Sequence, residues 1–349
     1  MPAPAPLAAL PREDLEHVLE HTEGVWRDLA GGRLFLTGGT GFFGRWIVES
    51  FCAARDLLGL DLEVVALSRD PERFARFAPG LASHPAVTLV RGDIRTFDIP
   101  EGRFDTVIHA ATAASAQLND ESPLEMIATI VDGTRRALEF ASAAGARRFL
   151  FTSSGAVYGV QPPSLSHVDE AYAGAPSTAS PGSAYGEAKR MAELLCAIAG
   201  QESRLEVVIA RCFAFVGPYL PLDAHFAIGN FMRDALQGGP IRVNGDGTPY
   251  RSYLYASDLA IWLWTLLARG RPLSAYNVGS ERALSVLEVA RIVAHEAGGL
   301  DVHVAKAPAP GVPADRYVPL TLRARAELGL EERVPVEDAV RRTLRWHAR

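Results

Sequence analysis

The stretch Leu34-Phe35-Leu36-Thr37-Gly38-Gly39-Thr40-Gly41-Phe42-Phe43-Gly44 limits the architecture of this chain more than any other. An apolar run leads into a glycine-rich turn, and a helical pattern opens at about Arg45. Gly38 permits the sharp turn, Gly41 lets backbone approach a pyrophosphate, and Gly44 lets the helix pack closely on the strand. The helix start points unpaired N–H groups and a partial positive charge at the phosphates. Thr40, Phe42 and Phe43 complete this candidate cofactor turn. Glycine-rich turns are common, so the motif has meaning only at the head of an alternating α/β series.

That series follows. Short apolar runs at 33–36, 63–67, 87–91, 106–109, 148–151 and 206–209 suit a parallel sheet buried on both faces. Helical patterns at 46–58, 124–143 and 184–199 lie between them, which predicts an α/β, Rossmann-type doubly wound parallel sheet. After Arg211 the pattern loosens, with Pro and Gly clustered at 217–221, 238–249 and 307–313. The expected organisation is a helical extension at 1–30, a dinucleotide-binding domain at 31–211, and a smaller C-terminal substrate-binding lobe at 212–349, interleaved with the last elements of the first. Residues 11–30 read as one amphipathic helix, with Leu15, Val18, Leu19 and Trp26 near one face. The apolar run 259–267 reads as a buried helix, and Trp262 and Trp264 as packing residues.

The end of the second strand bears on the ribose. An acidic residue there would take the 2′-hydroxyl of NAD, but the sequence reads Ala66-Leu67-Ser68-Arg69-Asp70. Ser68 and Arg69 suit a 2′-phosphate, and Asp70 stands one or two places late, so NADP is favoured over NAD. Further on, Ser153-Ser154-Gly155-Ala156-Val157-Tyr158-Gly159 ends a strand at the carboxyl edge of the sheet, where ligands bind in such folds. Tyr185-Gly186-Glu187-Ala188-Lys189 places a Tyr and a Lys four apart, on one helix face. An ammonium beside a phenol is expected to lower its pKa from about 10 toward neutrality. Tyr185 then exchanges a proton with a carbinol, and Ser154 hydrogen-bonds the same oxygen. Taken alone, a Tyr-x-x-x-Lys pair is usually a surface pair; it is the glycine turn and the serine-rich strand end that point to chemistry.

These residues resemble the short-chain dehydrogenase/reductase superfamily, in particular its extended branch of nucleotide-sugar epimerases and dehydratases. The resemblance runs from about 33 to 345 through TGGTGFFG, Gly92-Asp93-Ile94, His109-Ala110-Ala111, SSGAVYG, YGEAK, Arg211-Cys212, Gly217-Pro218, and Asn244-Gly245-Asp246-Gly247 leading to Arg251. It implies a nucleotide-linked sugar as substrate. Asp93 and Ile94 would lie against the adenine, and Ala110, Ala111 and Thr112 beside the nicotinamide ribose. Ser115, Ser154, His225, Asn230 and Arg251 are the implied substrate contacts, with Arg251 at the diphosphate. A homodimer through a four-helix bundle is also implied.

Departures from the family pattern carry information. The 4,6-dehydratases have an Asp-Glu pair directly after the residue matching Ser154; here Gly155 and Ala156 stand there, and neither transfers a proton. Hydride transfer at C4, by a 4-epimerase or a 4-ketoreductase, is therefore the leading expectation. Dehydration or decarboxylation with relocated groups, and a non-catalytic dinucleotide-binding sensor, are the alternatives. Ile130 and Ala214 replace residues that are often Asn, and His225 is the spare acid/base candidate, weighed against a structural histidine. His109, ending an apolar strand, reads as a core histidine. The net charge of −6 argues against nucleic acid. Three cysteines without metal spacing suggest a reducing cytoplasm and no metal site, and no apolar run is long enough for a membrane span.

Overall fold

The computed structural model describes residues 8–112, 116–224 and 226–349, and for residues 116 and 117 the backbone only. Six strands lie where the apolar runs predict them: β1 (Arg33–Thr37), β2 (Glu63–Ser68), β3 (Val87–Arg91), β4 (Thr106–His109), β5 (Arg148–Ser154) and β6 (Glu206–Cys212). A seventh, β7 (Ser274–Val278), was not expected from the sequence, since Ser274, Tyr276 and Asn277 break its apolar pattern. All pair in parallel in the order β3-β2-β1-β4-β5-β6-β7. The order reverses between β1 and β4, and that switch point opens a crevice at the carboxyl ends of the strands.

Side-chain alternation divides the core between the two sheet faces. Leu34 and Leu36 face one layer together with Ile108, Leu150 and Val208. Phe35 faces the other with Val107, Phe149 and Ile209. The first layer is covered by α1 (Arg12–His21), α2 (Glu23–Leu29), α3 (Phe42–Leu58) and a helix at Ala256–Arg269. The second is covered by α4 (Pro123–Ala143) and α5 (Ala184–Glu202).

The helix Ala256–Arg269 is buried from Ala256 through Leu267, as the apolar run predicts. Trp264 donates its indole N–H to Ser50 Oγ at 2.8 Å and stacks on Phe51, so it is a packing residue. The single helix expected at 11–30 is two. Thr22 breaks it, donating its hydroxyl to Val18 O and accepting the Trp26 indole N–H at 2.8 Å. Beyond β6, short two- and three-residue strands build the C-terminal region, among them the sheet that joins Leu284–Ser285, Tyr250–Arg251 and Arg316–Tyr317.

Candidate active site

The glycine turn connects β1 to α3, and each glycine meets a different constraint. Gly38 has φ +75°, where side chains are disfavoured, and a Cβ there would lie 2.6 Å from Ala110 O. A Cβ at Gly44 would lie 2.2 Å from Gly38 O, so strand and helix touch backbone to backbone. Gly41, the N-cap of α3, is different: its missing Cβ would meet only Gly38 O, at 3.4 Å. No side chain caps the helix start. Open space therefore faces unpaired helix N–H groups, the cradle that a pyrophosphate needs.

At the end of β2, Ser68 is buried and its Oγ accepts the Asp70 N–H at 3.2 Å. Asp70 caps the next short helix by accepting the Arg73 N–H at 2.9 Å, which explains why an acidic residue stands there. Arg69 is exposed at the same strand end. Asp93 accepts from the Arg95 backbone N–H and guanidinium, both at 2.9 Å, and this holds its carboxyl below the usual range. Ile94 is buried against α4, beside Gly133. Ala110 and Ala111 donate their N–H groups to Thr37, to its carbonyl and hydroxyl respectively.

His109 is a core residue. Its Nε2 lies 3.1 Å from Thr134 Oγ1, which donates its own proton to Ile130 O, so Nε2 carries the hydrogen. Nδ1 then accepts from Thr37 Oγ1 at 2.8 Å. Burial pushes this imidazole down to about 3, so it stays neutral.

Ser154, Tyr185 and Lys189 converge where β5 ends against α5. Ser154 Oγ accepts the Ala156 N–H at 3.2 Å and faces the Tyr185 phenol closely enough to draw its pKa down. Asn119 fixes the start of α5 by accepting the Tyr185 backbone N–H at 2.9 Å and donating to Gly182 O at 3.0 Å. Lys189 is 1% exposed and donates to Thr112 Oγ1 and Thr152 O, each at 2.7 Å. Its Nζ lies 6.0 Å from the centre of the Tyr185 ring.

The expected acidification of Tyr185 by Lys189 is corrected by this geometry. Burial pushes the phenol up to about 12, and the ammonium, turned toward Thr112 and Thr152, does not offset it. Burial also brings Lys189 down to about 8.

A third hydroxyl joins the group. Tyr317 shares a 3.4 Å hydrogen bond with Ser154 Oγ, and its hydroxyl lies 2.8 Å from where a Cβ on Gly155 would be. The place after Ser154 is therefore filled by Tyr317 and Phe213 and takes no side chain. Sequence reasoning missed Tyr317 because it lies 163 positions from Ser154, and the only local signal is an aromatic after a proline-rich loop. Asn119 was missed for a similar reason, since it acts through α5 rather than at the centre.

Among the implied substrate contacts, Ser115 and His225 lie outside the described residues. Arg251 pairs in register with Tyr317 and Leu284, its guanidinium donates to Tyr250 O at 2.8 Å, and it has no ion pair among the described residues. Asn230 accepts from Arg233 at 3.1 Å on the helix Ala227–Leu236 and has no hydrogen bond to the Ser154 group. Among the described residues no cluster suits a metal ion, and no helix is long and apolar enough to cross a membrane.

A family model described as the NAD dependent epimerase/dehydratase family matches residues 34–279, from β1 to just past β7. The chain belongs to this family. It is an extended short-chain dehydrogenase/reductase. UDP-glucuronic acid decarboxylase 2 of Arabidopsis thaliana is 32% identical over 265 residues, 75% of this chain, and the match spans 56% of that relative. Thus the chain spans little more than half the length of the curated relatives it matches first.

Among solved structures, DesIV, a dTDP-glucose 4,6-dehydratase from Streptomyces venezuelae with NAD bound, is 28% identical with a TM-score of 0.76. That alignment covers 90% of this chain and 96% of DesIV. The UDP-N-acetylglucosamine 4-epimerase of Methanobrevibacter ruminantium shares the fold, with a TM-score of 0.77 at 22% identity over 90% of this chain and 98% of that one.

Proposed function

We propose that the protein is a nicotinamide-dependent enzyme that moves hydride at C4 of a nucleotide-linked hexose, as a 4-epimerase or a 4-ketoreductase. The observation that carries this reading is the convergence of Ser154, Tyr185 and Lys189 at the carboxyl end of β5, the same sheet edge from which the Gly38–Gly44 turn leaves β1. A bound nicotinamide would supply the hydride donor or acceptor. The turn residues Gly38, Thr40, Gly41, Phe42, Phe43 and Gly44 would hold its pyrophosphate, and Ser68 and Arg69 a 2′-phosphate, which favours NADP over NAD. Asp93 and Ile94 would meet the adenine, and Ala110, Ala111 and Thr112 the nicotinamide ribose.

Tyr185 exchanges the proton of the C4 oxygen while Ser154 hydrogen-bonds that oxygen. Lys189 spends two of its three N–H donors on Thr112 and Thr152, which leaves one for a ligand and places a positive charge beneath the site. Residues 212–349, apart from β7 and the helix Ala256–Arg269 that belong with the main sheet, form the sugar-nucleotide lobe in this reading, with Arg251 the candidate to meet a diphosphate. Elimination of water by the dehydratase route is disfavoured, because Phe213 and Tyr317 fill the space where the acid would stand.

A second reading is favoured by the decarboxylase relatives. Oxidation at C4 of a nucleotide-linked uronic acid leaves a ketone β to the carboxylate, and such acids lose carbon dioxide with no acid/base pair at positions 155 and 156.

Incubation with NADPH, with NAD⁺, and with a panel of nucleotide sugars tests both. Oxidation of NADPH by 4-keto sugars supports the reductase, and sugar inversion without net redox supports the epimerase. Carbon dioxide released from UDP-glucuronic acid supports the second reading. Dinucleotide binding without turnover of any sugar overturns both in favour of a sensor. Arg69→Ala is expected to weaken NADPH binding and leave NADH binding unchanged, as read by fluorescence titration.

A further inference from the structure

Residues 8–30 precede the family-matched segment 34–279. Their contacts nevertheless lead to the glycine turn. The Leu10 N–H donates to Glu49 Oε2 on α3 at 2.8 Å. The Tyr219 hydroxyl touches both Ala8 O, at 2.9 Å, and the other Glu49 oxygen. With one phenolic proton, both of those acceptors are satisfied only when Glu49 is protonated, the form that its burial favours.

Tyr219 is held at φ +71°, a left-handed conformation unusual for a tyrosine. The Arg45 guanidinium lies 4.8 Å above its ring, and Arg45 Nε donates to Thr40 O, within the turn, at 3.2 Å. The neighbouring Pro218 O accepts the Trp46 indole N–H at 3.0 Å. The far side of the arm is fastened to the last helix, Val336–His347. Trp346 donates to Ala9 O at 3.0 Å, and Arg342 meets the buried Asp14 at 2.9 Å. Asp14 also accepts the Tyr255 hydroxyl at 2.7 Å.

We propose that the N-terminal arm, through Ala8, Leu10, Glu49 and Tyr219, braces the Thr40–Arg45 backbone from behind, so that these are positioning residues for dinucleotide binding. The geometry runs in one unbroken line: arm backbone, Glu49–Tyr219, Arg45, Thr40 carbonyl. It reaches the turn through the Thr40 carbonyl, so its effect is on the alignment of the helix N–H groups.

Hydrogen–deuterium exchange on the full chain without ligand tests this, using Tyr219→Phe, Glu49→Ala and Glu49→Gln. Tyr219→Phe and Glu49→Ala are expected to speed exchange at residues 38–45 roughly two- to tenfold, the range for one lost buried hydrogen bond, with β5 and β6 unchanged. Glu49→Gln, whose amide imitates the protonated acid, should match the wild type. NADPH affinity should fall by the same factor in the first two variants; this arm rests on the functional reading above. Turn exchange unchanged in both, or raised equally in β5 and β6, overturns the brace. A wild type that binds neither NADPH nor NADH overturns the functional reading instead, while the exchange result still decides the brace.

Discussion

At Tyr185 two effects oppose each other, and their balance sets what the residue does. Burial favours the neutral phenol, at about 12, while a nearby cation favours phenolate. Lys189 contributes little to the phenol while its ammonium faces Thr112 and Thr152. Tyr185→Phe keeps the packing and removes the proposed proton carrier, so turnover is expected to fall by roughly 10²-fold or more with NADPH affinity intact, as measured by steady-state kinetics and titration. Lys189 makes a separate prediction. Its folded pKa of about 8 lies below its ordinary 10.5, so between those values the unfolded chain binds more protons and stability rises with pH. Relative to Lys189→Met, the wild type should therefore gain melting temperature across that window. A flat difference between the two would mean that the lysine is not desolvated as described.

At the scale of elements, the junction of β1 and α3 is the tightest contact near the site. A methyl at Gly44 would meet Gly38 O at 2.2 Å and Gly39 Cα at 2.4 Å, backbone atoms that cannot turn away. Gly44→Ala is expected to cost about 1–3 kcal/mol in urea unfolding and to abolish NADPH binding, because α3 must back away from the turn. This junction was legible in the sequence, as were six strands, because a parallel sheet buried on both faces demands apolar runs. Strand β7 was not, since Asn277 sits in it to bridge Val168 O and Leu320 O, a tertiary task invisible to pattern. The break at Thr22 depended on a hydroxyl returning to its own helix, and Tyr317 on a contact made across 163 positions of sequence. Local pattern reports which face is buried; it does not report which distant residue arrives there.

For the whole molecule, one exposed apolar surface lies on α5, the helix that carries Tyr185 and Lys189 on its inner side. Met191, Leu194 and Ile198 form a stripe on its outer side at 47%, 53% and 42% exposure, and Leu124 at the start of α4 is 79% exposed. Residues spaced three and four apart on a helix share a face, and a contiguous apolar stripe of this kind marks a contact surface. We propose that α4 and α5 pair with the same two helices of a second copy, giving a four-helix bundle. Such a contact would bury the back of the helix whose front holds Tyr185 and Lys189, so association and activity should move together. The double variant Leu194→Glu, Ile198→Glu places like charges at the centre of the stripe without touching the site. It is expected to run as a monomer in size-exclusion chromatography with light scattering where the wild type runs as a dimer, and to lose melting temperature as the concentration is lowered less steeply than the wild type does. A wild type that is monomeric at every concentration tested would remove the bundle and leave the stripe to another partner.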